Sequence, residues 1–153
     1  RNGNLSYVNR QIGMAELPRD RFGYLTPFTG WGYKSKDAAS AVLVTRPILI
    51  KKDALRLFVN AQGAIQPGDM CKLALLDEYG ATIPGYSTDD CINVTDDGVD
   101  VLVRWRDSSL PHSFVGHRIK IKFELIGKKQ QDDILRCTQS PKLFGFHFGT
   151  VNT

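Results

Sequence analysis

The sequence lacks any apolar run near the roughly 20 residues that a membrane-spanning helix needs; its longest candidates, Ala41–Val44 and Pro47–Ile50, are strand-sized. Membrane insertion is therefore not expected. There are 3 cysteines, Cys71, Cys91 and Cys137, with no C-x-x-C spacing and no histidine pair beside them, which argues against a structural zinc site. The 3 histidines, His112, His117 and His147, are dispersed, and neither a Ser or Cys nucleophile motif nor a phosphate-binding glycine loop accompanies them. No cofactor and no metal are expected. The basic excess is small: 20 Lys and Arg against 16 Asp and Glu leave +4, and the cations are interleaved with acids instead of forming the stripe that a nucleic acid requires. The chain also opens on Arg1 without a charged-then-apolar leader, as a processed chain or a piece of a longer one would.

What is present is ordinary globular composition, 42% hydrophobic and 24% charged, over 153 residues. That excludes wholesale disorder and a coiled coil, and a chain of this size buries roughly two-thirds of its unfolded surface as one domain. The apolar pattern has period two. Ile119, Ile121, Phe123 and Leu125 alternate with Lys120, Lys122 and Glu124; Val99, Val101, Val103 and Trp105 alternate with Asp100, Leu102, Arg104 and Arg106. Further strands are expected at Phe22–Thr26, Ala41–Thr45, Leu55–Asn60, Cys71–Asp77 and Phe144–Phe148, separated by breakers such as Pro67-Gly68, Pro84-Gly85 and Asp97-Gly98. No helical period lasts three turns. The expectation is an all-β, antiparallel two-sheet β-sandwich of jelly-roll type. Residues 1–16 read as an N-terminal extension, edge strand or linker, and 17–153 as a single sandwich domain. Gly127–Pro141, which carries Cys137, reads as an exposed excursion.

The densest polar tract is GYSTDDCINVTDDGVD, Gly85–Asp100. Paired catalytic carboxylates would need one raised pKa and a rigid sugar-binding surface about 5 to 10 Å across. Asp89, Asp90, Asp96 and Asp97 stand in a polar connection instead, where water holds them ionised, and no D-x-D-x-D-G spacing supports a calcium loop. A strand-to-strand connection with mobile, solvated aspartates is the reading preferred. No catalytic residue is assigned, and the chain is not expected to be an enzyme. The triplets Asn4-Leu5-Ser6 and Asn93-Val94-Thr95 are glycosylation acceptors and point to a secreted, extracellular glycoprotein. Cys71 shares a face with Leu73 and Leu75 and should be buried, which leaves Cys91 and Cys137 as the disulfide to test.

Sugar rings stack on flat aromatic faces, because their C–H side is apolar while their rim needs hydrogen bonds. GWGYK places Trp31 and Tyr33 between glycines, and Tyr24 or Tyr86 would extend such a platform; the simpler alternative is that Trp31 packs over one end of the sandwich as a lid. Trp105, in register with Val101 and Val103, belongs to the core.

The ordered series GMAELPRDRFG (Gly13–Gly23), LFVNA (Leu57–Ala61), LALLDEYGATIPGYSTDDC (Leu73–Cys91), Val103-Arg104-Trp105, and Lys122–Leu125 ahead of Phe144-Gly145-Phe146 resembles the carboxy-terminal β-sandwich module that follows a five-bladed β-propeller in invertase-like and levanase-like glycoside hydrolases. The likeness covers roughly Ile12–Phe148 and departs from the family at Arg21, where a glycine is usual. In that family the propeller carries the catalytic carboxylates. The resemblance therefore implies a non-catalytic accessory module whose partners are an adjoining propeller domain and a glycan. The alternative is a structural or adhesive extracellular protein that joins neighbouring chains through edge strands or extensions.

Overall fold

The computed structural model describes residues 20–27, 39–51, 56–64, 67–106, 114–127 and 140–149. Residues 1–16 lie outside them. Seven strands run through the described residues, with no helix: β1 (Ala39–Val44), β2 (Ile48–Leu49), β3 (Arg56–Gln62), β4 (Met70–Asp77), β5 (Asp97–Leu102), β6 (Arg118–Gly127) and β7 (Lys142–Gly149). They make two antiparallel sheets. In one, β6 is central: β1 and then β2 run along one flank, with Val42 opposite Glu124 and Ile48 opposite Ile119, and β4 lies on the other, with Leu73 opposite Phe123. In the other sheet β3 is central, between β5 and β7. The chain is thus all-β, with the two sheets sharing one core; these connections do not by themselves define a jelly roll.

The period-two pattern produces this core directly. Along β6, Ile119, Ile121, Phe123 and Leu125 are buried while the residues between them are partly solvated. Opposite them stand Cys71, Leu73 and Leu75 of β4, and Leu57, Val59 and Ala61 of β3 supply the facing sheet. Phe123 meets Phe146 of β7 at 5.2 Å between ring centroids, which ties the sheets together. Trp105 is buried as expected, and its indole N–H donates to the Leu73 carbonyl at 3.3 Å.

Three expectations are corrected. Phe22–Thr26 is no strand: only Leu25 exchanges hydrogen bonds with Leu143, at 2.8 and 2.9 Å, and Pro27, which has no N–H, follows directly. Val99 is not in the core but 43% exposed. A register shift falls between Val59 and Ala61 where β3 meets β5, so two residues of β5, Val99 and Asp100, stand against Asn60 alone. Val101 then faces inward as Gly98 does, and Gly98 lies inside β5, not at a turn. A second shift, between Asn60 and Ala61 against β7, leaves Phe144 as the extra residue and lets both Leu143 and Phe146 reach the core.

Candidate functional site

The tract after β4 is not a loose connection. β4 pairs with β6 on one side, which leaves the N–H groups of Cys71, Leu73 and Leu75 pointing the other way. They donate to Asn93 Oδ1 at 2.7 Å, Cys91 Sγ at 3.3 Å and the Tyr86 carbonyl at 2.9 Å. A side-chain amide, a thiol and a carbonyl thus do the work of a neighbouring strand. Further along, Ile92 N–H donates to the Arg104 carbonyl and Arg106 N–H to that of Asp90, which fastens the tract to the run into Trp105.

The side chains singled out in this tract are therefore committed. Tyr86 is only 6% exposed, edge-on to Trp105 and Phe114 at 5.4 Å each, so it offers no open face to a sugar. Its phenyl ring belongs to the core. Asn93 also donates from Nδ2 to the Asp69 carbonyl at 3.1 Å, so both of its amide atoms serve the sheet edge. Cys91 is a buried free thiol, and Cys137, the partner expected for it, lies outside the described residues. Burial raises the pKa of Cys91, and burial with the neighbouring Cys91 pushes Cys71 up to about 12. Asp90 Oδ2 accepts from Ser87 Oγ at 2.6 Å and from Ser87 N–H at 3.2 Å, and these bonds, with Arg106 nearby, hold its carboxyl below the ordinary range. Among the described residues no three His, Cys, Asp or Glu side chains gather as metal ligands.

The outer face of the β5-β3-β7 sheet is the place where exposed aromatic and charged groups converge. It is built around the double register shift at Asn60. Arg21 crosses the face there: Nε donates to Asn60 Oδ1 at 3.1 Å, one terminal nitrogen donates to the Ala61 carbonyl at 3.3 Å and pairs with Asp97 at 2.6 Å, and the guanidinium lies 4.7 Å from the Phe144 ring centre. Asn60 Nδ2 in turn donates to the Asp20 carbonyl at 3.0 Å. Asn60 is buried and hydrogen-bonded through both amide atoms. Arg21 is thus the clasp that holds residues 20–27 against three strands.

On one side of this clasp Tyr24, 52% exposed, stands edge-on to Phe144 at 5.7 Å, with Lys142 Nζ 5.3 Å from its ring centre. On the other, Phe58 and His147 lie opposite each other in register and stack at 5.1 Å, 12° from parallel. Asp100 reaches His147 Nε2 at 3.6 Å. Asp97 and Asp100 also line a cleft of about 470 Å³, bounded by Ile92–Gly98 on one side and by Asp100, Leu102 and Arg104 on the other. The two aspartates therefore join the aromatic face to the cleft.

Of the four aromatic residues assigned to sugar binding, Tyr24 stands on this face, Tyr86 does not, and Trp31 and Tyr33 lie outside the described residues, as does Asn4. Phe58, Phe144, Arg21 and His147 were not assigned. Their meeting depends on the register of strands far apart in the chain, which no local pattern in the sequence records. Comparison of the chain with protein-family models, curated proteins and solved structures gives no match.

Proposed function

We propose that this chain is a non-catalytic, secreted β-sandwich module that contacts carbohydrate through the outer face of the β5-β3-β7 sheet. The observation that carries the reading is Tyr24: an aromatic ring half open to solvent, fixed from the side by Phe144, with carboxylates and cations a short way across the same face. A sugar needs that combination of one flat apolar surface and rim donors and acceptors. Asp97 and Asp100, with side chains 59% and 73% exposed, are the acceptors for hydroxyl groups. The resemblance to the sandwich that accompanies glycoside-hydrolase propellers supports an accessory role beside such a domain, and the sequon at Asn4 supports an extracellular setting.

The test is a glycan array on the 153-residue chain followed by calorimetry with Tyr24→Ala and Asp100→Asn. Loss of one stacking face is worth on the order of 1 to 1.5 kcal/mol, so about a tenfold fall in affinity is expected for Tyr24→Ala. No glycan bound, or binding indifferent to both substitutions, removes the proposal.

A further inference from the structure

Each sheet edge is treated differently, and among the described residues β1 has no strand on its outer side. The far edge of β4 is satisfied by Tyr86, Cys91 and Asn93. β5 carries Asp97, Asp100 and a register shift, devices that discourage a further strand. β7 receives Leu25 at Leu143. β1 has none of these. Among the described residues it pairs with β6 alone, it contains neither charge nor proline from Ala39 to Val44, and its register with β6 is unbroken. Val42, Leu43 and Val44 are 55%, 42% and 46% exposed in succession.

The backbone of this edge is set for a partner strand. Thr45 N–H donates to the Ile121 carbonyl at 3.0 Å, so by the alternation of an antiparallel ladder Leu43 and Ala41 also turn their polar groups toward β6. Ser40, Val42 and Val44 point theirs outward. We infer that β1 pairs with β1 of a second copy of this chain across a two-fold axis at Leu43. That axis sets Val42 against the partner's Val44 in hydrogen-bonded pairs and Leu43 against the partner's Leu43 in the close, non-hydrogen-bonded position. A two-fold contact brings the same short strand alongside itself, so like charges would fall close together and penalise a charged strand; β1 has no charge to oppose. On the adjoining β6, Lys122 and Glu124 already neutralise each other at 3.2 Å. The two central sheets then become one continuous sheet through the dimer. This inference stands apart from the carbohydrate reading, which concerns the other sheet.

Sedimentation equilibrium at micromolar concentration, with amide exchange, tests it. The 153-residue chain is expected at twice its chain mass, with the Val42 and Val44 amides protected. Val42→Lys, an outward and exposed position, is expected to sediment as a monomer with an unchanged circular dichroism spectrum. In a Cys137→Ser background, Leu43→Cys is expected to cross-link to dimer on oxidation, because the axis brings the two thiols together. A wild-type monomer with exchanging β1 amides overturns the inference. So does a monomer with protected amides, which would mean that a segment of the same chain covers β1, or a Val42→Lys variant that remains dimeric.

Discussion

Arg21 shows how much one side chain organises here. It touches Asn60, Ala61, Asp97 and Phe144, and its side chain is only 15% exposed, so the fork of its guanidinium replaces water on several partners at once. Arg21→Ala leaves Asn60 short of a partner and is expected to cost about 1 to 3 kcal/mol, read as a lower denaturant midpoint with unchanged slope. Arg21→Lys is not expected to restore it, since a point charge lacks the fork. Two titrations act at the same scale. The Asp90 carboxyl is held below its ordinary range by Ser87, so its contribution is complete above about pH 4, where unfolded Asp is ionised, and fades as the pH falls through the lower native value. Melts of wild type and Asp90→Asn should converge in acid. Cys71 runs the other way: its native pKa is raised to about 12, so above about pH 8.5 the unfolded chain releases a proton the native state keeps, and stability declines as the pH rises. Alkylation of Cys71 and Cys91 should require unfolding.

Strands were legible where alternation met a regular ladder. β6 is the clearest, because its buried and solvated residues alternate without interruption from Arg118 to Gly127. The alternation from Val99 to Trp105 does not show that β5 carries an extra residue against Asn60, which turns Val99 out of the core. The Gly85–Asp100 tract was legible as a connection, not as the cover of β4: that role comes from Cys91 and Asn93 meeting strand amides some 20 positions away in the chain, at separations of 18 and 22 residues. Gly63 belongs to the same seam. A Cβ there would lie 2.5 Å from the Thr95 carbonyl carbon and 2.7 Å from the Val94 and Thr95 oxygens, all of them backbone. Gly63 N–H and Ala64 N–H donate to the Asp96 and Val94 carbonyls, so Gly63→Ala should part the end of β3 from this tract. The expected loss is on the order of 1 to 3 kcal/mol, with the amides of Gly63 and Ala64 losing exchange protection first.

At the scale of the whole molecule, two antiparallel sheets close on one core and leave two surfaces with different characters. One is the apolar flank of β1; the other is the aromatic and charged face around Asn60. The class of fold could be read from composition and period because an antiparallel sheet with one solvated face buries every second residue, as β6 does. The face could be read only in part: Tyr24 was named from chemistry, but Phe58 against His147 and Arg21 against Phe144 exist only once β3 and β7 are in register. The measurement that bears most directly on this surface is chemical-shift mapping of backbone amides during titration with the strongest glycan from the array. Shifts concentrated at Tyr24, Phe58, Asp100 and His147 are predicted. Shifts confined to the Ile83–Asp96 side, or no shifts at saturating glycan, would contradict the assignment.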